Sequence, residues 1–221
     1  MTVGLASRIQ HTLIDAGTTR EQVIQHAHEC IEYGFAAAMV AGSWVDVVAA
    51  ELDGTGIPVA SALDFPTVGV MTTVGKAREA EELVRLGATQ IDIGVQIGWL
   101  KSGDHARFRD DIAAVVACGV PVKVMLELPM LTPAERDAAV DLSLEAGAAY
   151  LKNASSGAVE VANAASIRYL VERAAGRAKV KASGGIKSHA QVIELLDAGA
   201  DLVGSSAGIE IVRGGTADRS Y

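Results

Sequence analysis

Cysteine is nearly absent from this 221-residue chain: Cys30 and Cys118 are the only two, and both fall in helix-like stretches. Two isolated thiols build neither a disulfide framework nor a zinc site, so reduced core thiols and a cytoplasmic setting are expected. Aromatic residues are scarce, at 4%. Ala, Val, Ile and Leu must then fill the interior, which favours layered strands and helices over an aromatic binding surface. There is no basic surplus, with 27 acidic against 19 basic residues and a net charge of −8. That argues against a nucleic-acid surface but leaves room for a local pocket for one phosphate. No apolar run reaches the length of a membrane span. Met1 to Arg8 lack the apolar core of a secretion signal. The five histidines are dispersed, no ligand cluster is visible, and no metal or cofactor is expected. His26 and His28, two apart on a predicted helix, do not share a face.

What is present is a rhythm. Short apolar runs alternate with amphipathic stretches, and eight runs read as strands: Ile9–Ile14, Ala36–Val40, Val59–Leu63, Gln90–Val95, Val122–Glu127, Tyr150–Asn153, Lys179–Ala182 and Asp201–Gly204. Most recur at roughly one strand-plus-helix unit. Gly34, Gly87, Gly119, Gly147 and Gly199 each stand between a helical pattern and a strand, where glycine closes a helix in the left-handed conformation. Thr132-Pro133-Ala134-Glu135 predicts a capping box with proline in the first turn, and Thr18-Thr19-Arg20-Glu21 suggests another. No linker or composition break interrupts residues 1–212, and 213–221 reads as a mobile tail. Eight units without a boundary predict a single-domain closed (β/α)8 barrel, the TIM-barrel fold. The alternative, an open doubly wound sheet, lacks a G-x-G-x-x-G after its first clear strand.

A barrel of this kind places its chemistry at the C-terminal strand ends. Lys152 and Lys181 lie there, each followed by small residues: Asn153-Ala154-Ser155-Ser156-Gly157 and Ala182-Ser183-Gly184-Gly185. Lysine is rarely buried without a partner. Two at equivalent points of neighbouring strands predict a site that needs an unprotonated amine, disfavoured as a cation by burial and by its neighbour's charge. The bland alternative is a pair of surface lysines. Asp92 interrupts an apolar run and is expected to face inward, as a catalytic group or as a structural acid paired with a core lysine. Alternation puts Lys123, Met125 and Glu127 on one face. Lys123 either joins the substrate-binding residues or neutralises Asp92 or Glu127. Two Gly/Ser-rich loops, Ser183-Gly184-Gly185 and Gly204-Ser205-Ser206, follow the last two strands, where barrels often hold phosphate.

At these residues the chain resembles the deoxyribose-phosphate aldolase family over nearly its whole length. The matching stretches are His11-Thr12-Leu13, Phe65-Pro66, Ile91-Asp92-Ile93, Leu100-Lys101-Ser102-Gly103, Lys123 to Glu127, Lys152 with Ser156-Gly157, Lys181 to Ile186, and Gly204-Ser205-Ser206. The resemblance implies a class I aldolase on a barrel. Lys152 would form a Schiff base, Lys181 would tune it, and Asp92 would share proton transfer with Lys181. Gly157, Gly184, Gly185, Gly204 and Ser206 would hold the substrate phosphate, and Tyr221 would assist proton transfer from the tail.

The chain also departs from the family pattern. Gln10 stands where an aspartate is usual, Asp64 where glycine is usual, and Asn153-Ala154-Ser155-Ser156 where a Thr-Ser-Thr run is usual. An Asp64 carboxylate facing the pocket would disfavour an anionic group. An altered or non-phosphorylated acceptor therefore stays open. So do a barrel isomerase or lyase with Lys152 as an electrostatic clamp, and a catalytically silent barrel. The expected ligands are small aldehydes and sugar phosphates, with no nucleic acid or membrane partner, in a homo-oligomer, expected to be a dimer.

Overall fold

The eight apolar runs pair as a closed parallel barrel, β1 to β8 in chain order, in the computed structural model, which describes residues 3–218. The strands are β1 Ile9–Leu13, β2 Ala37–Val40, β3 Val59–Leu63, β4 Gln90–Gly94, β5 Val122–Met125, β6 Tyr150–Lys152, β7 Lys179–Ser183 and β8 Leu202–Ser205. Each lies within one or two residues of its predicted run. The helices are α1 Val3–Ala6, α2 Arg20–Tyr33, α3 Val45–Glu51, α4 Thr73–Arg85, α5 Ile97–Lys101, α6 His105–Val116, α7 Pro133–Glu145, α8 Ala164–Ala174, α9 His189–Asp197 and α10 Gly208–Val212.

The helix ends follow from sequence chemistry. All five predicted closing glycines have positive φ. The Thr132–Glu135 capping box forms at the start of α7. The box on α2 is one residue later than predicted: Thr19 caps, and Gln22 rather than Glu21 reaches back. Cys30 is buried in α2, and Cys118 lies just past α6.

Period-two alternation separates two interiors. Ile91, Ile93, Val124, Leu151, Val180 and Val203 point outward and pack with Val23, Leu83, Phe108, Ile112, Leu170 and Leu195 of the helices. Burying a side chain of this size is worth about 1.5–3 kcal/mol, so this layer supplies most of the drive to fold. The inward set is different. On the β2–β3 side the lumen is small and apolar, with Ala37, Met39 and Ala60. On the β4–β7 side it is charged: Asp92, Lys123, Lys152 and Lys181 are all buried. Among the described residues no helix is long and apolar enough to cross a membrane.

The carboxy-terminal segment runs against the β7–α9 connection. Thr216 bridges to Ser188, and the Ala217 amide donates to the Lys187 carbonyl at 2.8 Å. Tyr221 lies outside the described residues.

Candidate active site

Register brings the two lysines together. Lys152 of β6 pairs with Lys181 of β7, and Asp92 of β4 pairs with Lys123 of β5. Parallel strands in register project paired side chains from the same face, so all four enter the lumen. Asp92 is the hub. Its Oδ2 accepts from Lys181 Nζ at 2.7 Å and from Lys152 Nζ at 3.3 Å. Its Oδ1 lies 3.2 Å from Lys123 Nζ, an ion pair by distance whose alignment falls short of a hydrogen bond. Lys181 Nζ also makes a short hydrogen bond to Gln10 Oε1, and Gln10 Nε2 donates to Gln90 Oε1 at 3.3 Å.

The surplus of cations sets the electrostatics. Burial alone would raise the Asp92 carboxyl, but the charges of Lys181, Lys123 and Lys152 outweigh it. They hold the group well below the usual carboxylate range. Asp92 is therefore a fixed anion. For Lys123 burial wins: desolvation and the neighbouring ammonium groups push it down to about 8, against the pull of Asp92. Lys123 is fully buried and lies 5.5 Å from the centre of the Tyr150 ring. It thus belongs to the lysine cluster.

Those loops stand beside the cluster. A Cβ on Gly157 would come 2.8 Å from the Gly185 amide nitrogen, so the β6 and β7 loops meet backbone to backbone. Gly184 has φ of +109°, and a Cβ there would sit 2.2 Å from the Glu160 carbonyl oxygen; only glycine fits. After β8, Ser205 Oγ donates to the Ile186 carbonyl at 2.6 Å and accepts from the Ala207 amide at 3.0 Å. These bonds tie the Gly204–Ser206 turn to the β7 loop. Gly157, Gly184, Gly185, Gly204 and Ser206 thus lie at the adjoining C-terminal ends of β6, β7 and β8 and in the turns that follow them.

Two further residues, named in the sequence without a site role, brace the site. Asn153 Nδ2 donates to the Ser183 carbonyl at 3.0 Å and its Oδ1 accepts from the Ser183 amide at 2.9 Å, locking the ends of β6 and β7 together. Glu127 adopts φ of +50° at the end of β5, and its Oε1 accepts from the Ser155 amide at 2.7 Å. Burial pushes the Glu127 carboxyl up. It lines a cavity of about 430 Å³ with Pro66, Ile97, Lys101, Met130 and Ser155 at the C-terminal face. A cavity of about 680 Å³, lined by Pro121, Tyr150 and Lys179, opens at the opposite end of the barrel, away from the glycine loops.

Two expectations need correction. Asp64 does not face the pocket as a free carboxylate. Its oxygens accept the Gly69, Val70 and Met71 amides at 2.9–3.0 Å, and Lys76 Nζ lies 3.4 Å away. Nor are the histidines all dispersed. β1 and α2 bring His11, His26 and Glu29 together, with potential ligand atoms within 4.8 Å of one another. His11 stacks between His26 and Phe35, at 4.5 Å from each. Stacked imidazoles do not aim their lone pairs at one point, so the arrangement is one of packing. His11 Nε2 bonds Glu29 at 3.3 Å.

No protein-family model matches the chain. The deoxyribose-phosphate aldolase of Methanothermobacter thermautotrophicus is 39% identical over 212 residues, covering 95% of this chain and 94% of the relative. The chain belongs to the deoxyribose-phosphate aldolase family. A Streptococcus pneumoniae deoxyribose-phosphate aldolase is 36% identical over 215 residues, covering 96% and 97% of the two chains. Among solved structures, the tetrameric deoxyribose-phosphate aldolase of Aeropyrum pernix superposes with a TM-score of 0.88 at 27% identity, over 96% of this chain and 91% of that one.

Proposed function

We propose that this aldolase-family barrel is a class I, Schiff-base lyase. It reversibly cleaves a 2-deoxy sugar phosphate of the 2-deoxy-D-ribose 5-phosphate type to acetaldehyde and an aldehyde such as glyceraldehyde 3-phosphate. The observation that carries the reading is the pairing of Lys152 with Lys181 in register, both on one buried carboxylate oxygen. An amine in that place can add to a carbonyl while an adjacent ammonium and a fixed anion manage protons.

In this scheme the Lys152 amine attacks the aldehyde carbon of the open-chain sugar. The carbinolamine loses water to give an iminium. Deprotonation of the β-hydroxyl turns that carbon into the carbonyl of the leaving aldehyde. The adjacent carbon–carbon bond breaks, and its electron pair passes into the iminium to form an enamine. Protonation of the enamine carbon and hydrolysis release acetaldehyde and the amine. Lys181, held by Asp92, gives and takes the protons. Asp92 stays ionised and keeps the ammonium aimed. Gly157, Gly184, Gly185, Gly204 and Ser206 hold the phosphate with backbone amides and a hydroxyl. Tyr221, outside the described residues, keeps its proposed part in proton transfer. The scheme uses no cofactor. A cytoplasmic homo-oligomer, with the dimer as the expected form, belongs to the same proposal, and residues 1–212 as catalytic barrel with 213–221 as tail complete it.

The test compares acetaldehyde release from 2-deoxy-D-ribose 5-phosphate and from 2-deoxy-D-ribose. Faster release from the phosphate ester supports the reading. Equal rates would move it to an aldolase with a non-phosphorylated substrate, and release from neither would reject it.

A further inference from the structure

Gln10 is fully buried in β1, in register with Gly204 of β8 and Ala37 of β2. Its amide has a fixed orientation. The nitrogen donates to Gln90 Oε1 at 3.3 Å, which turns the oxygen toward Lys181 Nζ. A cation in a dry lumen is therefore held from one side by a carboxylate and from the other by a neutral dipole.

We infer that Gln10 is a positioning residue for the lysine centre, and that the neutrality of its amide sets the acid limit of the reaction's pH range. The inference rests on the proposed Schiff-base chemistry. Among the described residues, four strands bring groups to the Lys181 end of the lumen. β4 contributes Asp92 and Gln90, β5 Lys123, β6 Lys152 and β1 Gln10. β8 presents Leu202 in register, and β2 and β3 line the lumen with Ala37, Met39 and Ala60. Three amines thus share one carboxylate. A carboxylate at position 10 would add an anion to Asp92 beside Lys181. An opposite charge at hydrogen-bond distance favours the ammonium form, and the interaction is strong where water is excluded. A neutral acceptor fixes Lys181 in space without adding to the stability of the protonated cluster.

The experiment compares Gln10→Glu, Gln10→Met and Gln90→Glu with the unaltered chain. It records kcat/KM against pH, and borohydride-trapped acetaldehyde on Lys152 against pH. Gln10→Glu keeps the shape of the side chain and adds a charge. Its acid limb is expected to move to higher pH by about one unit, an activity loss of about tenfold on that limb that alkaline pH restores. Gln90→Glu, half-buried and one residue further from Lys181, moves the limb the same way by less. Gln10→Met removes the acceptor without adding charge; it lowers the rate and leaves the limb in place. An unmoved limb in Gln10→Glu, with adduct still formed on Lys152, overturns the inference and leaves the aldolase reading intact. Should Gln10→Glu fail to fold, Gln90→Glu decides alone, and an unmoved limb there overturns it. No Lys152 adduct in the unaltered chain at any pH rejects the aldolase reading itself.

Discussion

Among the described residues, buried lysine occurs in two places in this barrel, and the two differ in their charge ratio. Outside the sheet, fully buried Lys76 of α4 bonds Asp111 and the Gly94 carbonyl, the latter at 3.0 Å, and lies 3.4 Å from Asp64. One cation serves two anions there. Both anions have further donors: three backbone amides on Asp64, and Thr73 Oγ1 on Asp111 at 2.7 Å. Inside the sheet, among the described residues, three lysines share one carboxylate, Asp92. The first cluster is saturated with partners and pins the β3 loop to α4. In the second, among the described residues, amines outnumber carboxylates. A structural cluster gives every buried charge several partners because an unpaired buried charge is costly. A cluster that retains a surplus of amines is suited to an amine that must give up its proton.

The largest expected effect is on chemistry. Lys152→Ala should lower kcat by at least about 10⁴-fold in a retro-aldol assay while thermal unfolding changes little, since Asp92 keeps Lys181 and Lys123 as partners. Retained activity would break the contrast between the clusters. The next effect is on stability. Lys76→Met leaves Asp64 and Asp111 without their shared cation and should cost about 3–5 kcal/mol by urea denaturation. Lys123→Met leaves Asp92 with two partners and should change stability by about 1 kcal/mol or less. Equal losses would show that the ratio of charges does not distinguish the clusters. The smallest effect concerns acid. Burial lowers His26 from 6.5 to about 3, so the folded state holds it neutral while the unfolded chain takes up a proton first. Its contribution is fully present above 6.5 and falls by about 1.4 kcal/mol per pH unit as pH drops toward 3. Stability of His26→Gln, followed by urea titration at several pH values, should fall less steeply; parallel slopes would contradict this.

The lumen was more legible in the sequence than the outer cluster. Asp92 breaks an apolar strand, and Lys152 and Lys181 sit at matching strand ends, so period-two alternation and strand order sufficed to bring them together. Lys76 gave no such signal, because a lysine in Thr73–Arg85 reads as part of a solvated helix face. Only the packing of α4 against α6, the end of β4 and the turn after β3 buries it. Asp64 misled for a related reason: the turn after β3 swings its carboxylate onto the following amides, which no periodicity describes. Gln10 and Lys181 meet across 171 residues of chain, and barrel closure between β1 and β8 is what joins them. His11 and His26 are brought together by the return of α2 onto β1, which likewise leaves no mark in their spacing.

Borohydride trapping tests the central claim most directly. The protein is incubated with acetaldehyde, reduced, and mapped by intact mass and peptide sequencing. One two-carbon adduct on Lys152 is the predicted result. Its absence under saturating aldehyde, or its placement on Lys181 or Lys123 instead, would contradict the account.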